Sequence, residues 1–319
     1  MRTRTKILPI LFAVAVASAV VIGSVANDGL PPSNVEQGLP PTKVPGIRGP
    51  ITFPEIVLDE NLILPEMPDK VMVYKAKLPE VTAEKVITLA ETLGLSGSIS
   101  EYDEGFVVRD GSIDLGVLKA SGRISYMDLA GAYDDINNPP NLPPEGDAIA
   151  SAEKFLHDKG LMPGDAEFSE VVRDYAELVT KDPNTGEVSI EKVDLDMQVR
   201  FSREINGLPV TGAGSKLYVY IGDSGEIVKV FRCWREYEPF KPAVILTPSQ
   251  ALQKLKESGI HALTERVTLK EMYLAYYTLG ATEVQDYLQP VYVFEIDTGE
   301  AHIPGYILRE TIPAILQAQ

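Results

Sequence analysis

One stretch constrains the fold more than any other. It runs from Phe201 to Glu238 and reads FSREINGLPVTGAGSKLYVYIGDSGEIVKVFRCWREYE. The pattern is that of consecutive antiparallel strands. Asn206-Gly207 is a tight-turn signal, because both residues tolerate the positive φ that a type I′ turn demands. Gly212 and Gly214 punctuate the stretch again. Leu217, Val219 and Ile221 then alternate with Tyr218 and Tyr220, the period-two mark of a strand with two different faces. Gly222-Asp223-Ser224-Gly225 turns the chain. Ile227 to Trp234 returns with the β-branched and aromatic residues that suit a pleated surface.

Three helical windows accompany such strands. They are Thr82 to Gly94, Ala148 to Gly160 and Thr247 to Gly259. Aligned on their final glycines, they place Val86/Ala90, Ala152/Leu156 and Ala251/Leu255 at i,i+4, one apolar stripe each. Thr82, Asp147 and Thr247 are the expected N-caps, and Thr247 with Gln250 makes a capping box with Pro248 at the first helical position. Strand-like sequence follows each helix: Gly105 to Arg109, Ile113 to Lys119 and Arg123 to Met127 after the first, Ser169 to Thr180 and Val188 to Phe201 after the second, Val267 to Leu279 and Leu288 to Asp297 after the third. A helix and a short sheet each have one apolar side, and packing them together buries both. The expected fold class is therefore α+β, with two or three tandem units of one helix on an antiparallel sheet. The units are 69–138, 145–240 and 241–319. Pro139-Pro140 with Pro143-Pro144, and then Pro239 with Pro242, mark the breaks. Chance similarity among amphipathic helices is the competing explanation of the repeat.

The N-terminus reads as an export segment. Arg2, Arg4 and Lys6 precede an uncharged run from Ile7 to Ala26, and Ser24-Val25-Ala26 offers a small-x-small cleavage site. The run is also long enough, at about 1.5 Å per helical residue, to span a hydrocarbon layer of roughly 30 Å. Residues 1–26 are thus a cleaved signal peptide or an uncleaved anchor, and either one places the remainder outside the cytoplasm. Residues 27–68 are rich in proline, which fixes φ and lacks a donor, so a disordered, extended tether is expected there. The formal charge of −17 becomes −20 if the three leader cations are removed. A chain this acidic argues against nucleic acid as a partner. The single cysteine, Cys233, excludes an intramolecular disulfide and reads as a small buried hydrophobe.

The run Asn206-Gly207-Leu208-Pro209-Val210, then Leu217 to Ile221, then Asp223 to Val228, resembles the thermolysin/fungalysin propeptide and PepSY families. TPSQALQKL at Thr247 to Leu255 resembles the helix that opens a PepSY unit. Tyr276-Tyr277 with Tyr287 to Phe294 is similar to the end of extracellular regulators of bacterial sensor kinases. The resemblance covers roughly Ala148 to Ile312, and the first unit matches only in outline. It implies a non-enzymatic protein that chaperones or inhibits a protease, or regulates a membrane sensor. No protease domain follows in this chain, so such control would act in trans.

The residues carry no competing catalytic signature. His157, His261 and His302 share no metal-ligand spacing. Pairs such as Asp134-Asp135 and Asp194/Asp196 are what 46 acidic residues give by chance. No G-x-S-x-G occurs. Asp182 to Gly186 has the outline of a calcium loop but breaks the EF-hand register, so a hairpin loop is expected. No cofactor or metal is expected. The tyrosines remain. Tyr218 and Tyr220, with Trp234 and Arg235, are the candidate protein-binding residues, an aromatic platform of the composition found at interfaces. A second core layer is the alternative for the same rings. The expected function is an exported, non-enzymatic protein that binds and regulates another extracytoplasmic protein, a protease or a sensor kinase. A structural or ligand-binding envelope protein is the first alternative, and an extracellular hydrolase the second.

Overall fold

The computed structural model describes residues 39–44, 51–131, 138–181, 185–299 and 307–316. The leader, His302 and the Asp182–Asn184 part of the calcium-like loop lie outside them. Among the described residues no helix is long and apolar enough to cross a membrane.

The elements in chain order begin with β1 (Glu55–Leu58), β2 (Lys70–Ala76), α1 (Ala83–Leu93), β3 (Ser98–Tyr102), β4 (Gly105–Asp110), β5 (Ile113–Leu118) and β6 (Ile124–Asp128). Then come α2 (Glu145–Asp158), the long pair β7 (Glu167–Lys181) and β8 (Val188–Ser202), and the short hairpin β9 (Glu204–Ile205) and β10 (Leu208–Gly212). β11 (Lys216–Ile221), β12 (Ile227–Cys233), β13 (Tyr237–Val244), α3 (Pro248–Ser258), β14 (Arg266–Thr278), β15 (Tyr287–Asp297) and β16 (Ile307–Pro313) complete the chain.

The strands assemble into two eight-stranded sheets. The first is an antiparallel array in the order β3-β4-β5-β6-β12-β11-β8-β7. The second runs β13-β2-β15-β14-β10-β9, with β1 also on β14 and β16 also on β15. This overturns the expected tandem helix-on-sheet units. Among the described residues the protein is mostly β, 49% strand against 15% helix. The physical reason lies at the strand edges. β6 leaves an unpaired edge, and β12 takes it, with Lys229 opposite Met127 and Phe231 opposite Ser125. Strands expected in separate units thus share one hydrogen-bonded ladder, which satisfies more backbone groups than two small sheets would. β2 likewise pairs with β13 and β15 instead of with its neighbours in sequence.

The helices stand close to their expected windows. Thr82 caps α1, and Gly94 ends it at φ 88°. Thr247 and Gln250 form the capping box of α3. α2 differs: Pro144 is its N-cap, and Asp147 sits inside the first turn. α1 and α2 bury Val86, Ala90, Ala148, Ala152 and Leu156 against one face of the first sheet, in a core with Leu115, Met197, Val199, Leu217, Val219 and Val230. α3 buries Ala251 and Leu255 in a second core with Leu269, Tyr276, Tyr292 and Phe294.

The proline-rich segment is not wholly a free tether. β1 pairs in parallel with β14, Glu55 to Arg266 through Leu58 to Leu269. Ile56, Leu62, Leu64 and Met67 pack on the second core. These apolar residues between the prolines gain more from burial than a solvated chain would.

The central stretch also departs from a simple meander. Asn206 and Gly207 do turn at φ 53° and 75°, and β9 pairs with β10. The hairpin, however, leaves the first sheet: β10 pairs in parallel with β14 of the second, Val210 opposite Tyr276. A Cβ on Gly212 would lie 2.3 Å from the Thr278 carbonyl oxygen. Only glycine permits this approach. The chain then returns to the first sheet as β11.

Candidate functional site

The chain crosses between sheets again just after β12, and this crossing builds a cleft. Trp234, Arg235 and Glu236 form the link from β12 to β13. Arg203 lies between β8 and β9, Asp165 between α2 and β7, and Lys77 directly follows β2. With Arg232 and Tyr237 they line an open, polar cleft of ≈ 260 Å³.

Its core is a stack. The Arg203 guanidinium lies 4.9 Å from the Trp234 ring and 5.3 Å from the Tyr237 ring. Its Nη1 donates to the Arg235 carbonyl at 2.8 Å, and its Nη2 pairs with Asp165. The indole Nε1 of Trp234 donates to the other Asp165 oxygen at 2.8 Å. Asp165 thus holds an aromatic ring and a cation in one orientation. Arg235 is a clamp. Its Nη1 donates to the Leu279 carbonyl at 2.8 Å, and its Nη2 donates to the carbonyls of Gly280 and Glu283 at 2.7 Å each. These carbonyls belong to the connection between β14 and β15, so Arg235 ties the second sheet to the end of the first.

Arg232 is placed differently. Its Nε donates to the Leu161 carbonyl at 2.9 Å. Among the described residues its two Nη groups have no acceptor. Burial lowers its pKa, and Glu236 opposes that shift. Arginine stays charged even so. Lys77 and Glu236 make an exposed ion pair at 3.3 Å. Four cations here face two carboxylates, Asp165 and Glu236, which leaves a net charge of +2 in a chain whose total is −17. Burial pushes the Tyr237 phenol up to about 12, so that ring adds no negative charge near neutral pH.

The four candidate residues fall on two surfaces. Trp234 and Arg235 belong to the cleft and are only 6% and 4% exposed. Trp234 packs with the helix-side core of the first sheet. Tyr218 and Tyr220 stand on the opposite face of that sheet, alternating with buried Leu217, Val219 and Ile221. Tyr218 lies beneath the Arg200 guanidinium at 5.2 Å and beside Phe231 at 6.3 Å. Lys229 lies 4.5 Å above the Tyr220 ring. Burial raises both phenols, Tyr220 to about 12.

A second chemical grouping lies beyond Tyr220. Asp174 on β7 sits directly opposite Asp196 on β8. Gln198 Nε2 donates to Asp174 at 2.6 Å, while one buried oxygen of Asp196 has no partner among the described residues. Burial, and then the charge of Asp174, push the Asp196 carboxyl up to about 7. Asp194, its neighbour in the sequence pair, instead accepts from Arg173 at 2.8 Å. His157 is exposed on α2, and His261 lies against Glu310 at 3.0 Å. Cys233 is buried. Among the described residues no group of three His, Cys, Asp or Glu side chains is placed to hold a metal.

The alternation of Arg232, Trp234 and Arg235 was visible in the sequence as a cluster of cationic and aromatic residues. Asp165, Arg203 and Lys77 carried no such signal, because their roles depend on crossings between sheets.

No family model matches the chain, and no curated protein does either. Among solved structures, the chain is similar to an uncharacterized protein from Eubacterium rectale. Identity is 14% and the TM-score 0.43, with 81% of this chain and 87% of that one covered. The resemblance to PepSY proteins therefore rests on the short motifs alone.

Proposed function

We propose that the protein is an exported, non-enzymatic binding protein that regulates another extracytoplasmic protein, a secreted protease or a sensor kinase. One observation carries this reading: a concave, net-positive cleft of arginine and aromatic side chains on a strongly acidic chain. Guanidinium and indole groups are donors. They suit recognition of a carboxylate, and arginine does not exchange protons near neutral pH. The rest of the surface repels acidic partners, so attraction is focused at the cleft. An acidic or C-terminal segment of a partner fits that chemistry, with Arg232 supplying the free fork and Trp234 and Tyr237 the walls. The PepSY-like motifs support a partner that is a protease or a sensor.

Proximity crosslinking on intact cells tests the reading, with the wild-type chain and an Arg232→Ala variant as baits. Recovery of one protease or one kinase by the wild type, reduced at least severalfold in the variant, supports it. Recovery of the same abundant envelope proteins by both, at the level of an unrelated anchored control, favours a spacer instead.

The Asp174–Asp196 pair favours a second reading, a hydrolase. A carboxyl pushed up to about 7 by burial, directly across the strands from a second carboxylate, is an arrangement that acid–base pairs use. Turnover of a peptide or glycoside library by the purified protein, lost in Asp196→Asn, would establish it.

A further inference from the structure

The first sheet ends in a strand that is not protected. Among the described residues β7 pairs only with β8, so its other edge presents backbone donors and acceptors that no described strand meets. It spans 15 residues without proline or glycine. The contrast with the outer edges of β13 and β3 is sharp. β13 carries Pro239, Lys241 and Pro242, residues that block strand addition. β3 is five residues long and mostly serine, glutamate and tyrosine. β7 and β8 also outrun their sheet. β11 covers β8 only from Met197 to Phe201, so residues up to Asp196 form a two-stranded ribbon. Such a ribbon is marginal alone in water. It nonetheless exposes Tyr175, Val179 and Ile190, at 48%, 59% and 61%.

The sequence of this edge is self-complementary in one register. From Glu170 to Lys181 the strand is regular, since its irregularity lies at Ser169 and the other inserts Leu195 on β8. An antiparallel pairing of two copies about a dyad at Tyr175 sets Tyr175 against itself. Arg173 then meets Glu177, Val171 meets Val179, Val172 meets Leu178, Glu170 meets Thr180 and Asp174 meets Ala176. No like charges oppose one another, and every pair occurs twice by symmetry. Neighbouring registers fail. A dyad at Asp174 sets that carboxylate on its own copy. A dyad at Ala176 sets Arg173 against Val179 and Asp174 against Leu178, so no opposite charges meet.

The existing contacts extend the favoured register. Within one copy, Lys192 lies 3.8 Å from Glu177 and 4.1 Å from the Tyr175 ring. Arg173 donates to Asp194 at 2.8 Å and lies 3.8 Å from Glu145. Pairing therefore builds a ladder of alternating sign, from Lys192 to Glu177, to Arg173 of the second copy, to its Asp194. Cross-strand opposite charges stabilise such pairs, and like charges directly opposite weaken them.

We infer that two copies of this chain associate edge to edge through β7, antiparallel about Tyr175, and so join their first sheets into one continuous sheet. The partner is a second copy because the edge complements itself in charge and apolar pattern.

Disulfide trapping in the full-length chain tests this. Tyr175→Cys should crosslink to itself under mild oxidation, while Thr180→Cys, which would meet Glu170, should not. Cys233 is buried and serves as the background in both. On the Tyr175→Cys chain, Arg173→Glu or Glu177→Arg alone should lower the crosslinking rate roughly tenfold or more, because each change sets like charges opposite twice. The combined exchange Arg173→Glu with Glu177→Arg restores opposite charges across the seam, although each new charge then faces Asp194 or Lys192 of its own copy, so it should crosslink faster than either single variant. All positions are at the surface, and circular dichroism verifies that each variant is folded. The inference is overturned by equal crosslinking at Tyr175 and Thr180, by a folded Tyr175→Cys chain that stays monomeric, or by a combined variant that crosslinks no faster than the single ones.

Discussion

Replacing Arg235 by alanine should cost the protein about 3–5 kcal/mol. The guanidinium is 4% exposed and donates to three carbonyl oxygens at 2.7–2.8 Å. A hydrogen bond to a charged group contributes roughly 1.5–3 kcal/mol. The three share one side chain and one desolvation penalty, so they do not add. Removing the arginine leaves neutral carbonyl oxygens without their donor, roughly 1–3 kcal/mol for each one that water does not reach, which gives about 3–5 kcal/mol for the site. At ~2–4 °C per kcal/mol for a domain of 150–250 residues, the melting temperature should fall by on the order of 10 °C. Arg235→Lys should recover only part of this, because one ammonium cannot span carbonyls on both sides of the fork. The chain supplies its own probe. Trp234 is the sole tryptophan, and its indole sits one residue from the clamp. Urea unfolding followed by its emission, alongside far-ultraviolet circular dichroism, measures the change. An alanine variant within about 0.5 kcal/mol of the wild type would show that the clamp does not hold the sheets together.

Three further outcomes follow from named contacts. The folded state holds the Asp196 proton to about pH 7, whereas the unfolded chain releases it near pH 4; its contribution is therefore complete below pH ~4 and lost as pH rises through 7. Asp196→Asn should flatten that dependence and raise stability at pH 8 by on the order of a few kcal/mol, read from melting curves at pH 5 and 8. Gly212→Ala should destabilise by roughly 1–3 kcal/mol or more, because φ is 98° and the new Cβ would meet the Thr278 carbonyl; Gly146→Ala, with open space around it, should stay within about 0.5 kcal/mol in the same melts. Leu156→Ala, on the fully buried stripe of α2, should cost about 2–5 kcal/mol by chemical denaturation, and a cost below about 1 would mean that α2 is not packed as described.

Local signals in the sequence survived, and long-range ones did not form there. The caps at Thr82 and Thr247, the stripes Val86/Ala90 and Ala251/Leu255, and the alternation from Leu217 to Ile221 each depend on residues within a few positions. Strand pairing depends on which edges meet. Nothing near Ile124 announces that β6 will pair with β12, and nothing near Tyr74 announces β13 and β15. Reading each helix with the strands that follow it thus produced units where the chain makes two shared sheets. The same distinction divided the candidate site. Trp234 and Arg235 carried the composition of an interface. Whether they would lie exposed beside Tyr218 and Tyr220 turned on the crossing after β12, which buries them instead. The proline-rich segment misled in the other direction, because composition describes its solubility and not the acceptor edge that β14 offers to Glu55–Leu58.

The crossings between sheets also impose an order of assembly. All strands of the first sheet lie between Ser98 and Cys233, so it can close as soon as that span has emerged. The second sheet cannot. Its β1 must wait for Arg266 to Leu269, and its β2 first for β13 and then, on its other edge, for Tyr287 and Leu288. Such distant pairings fold slowly. During synthesis β1 would remain exposed, beside a finished first sheet, until β14 arrives. Loss of the strands from β14 onward should therefore leave β1 without its partner and β2 held by β13 alone.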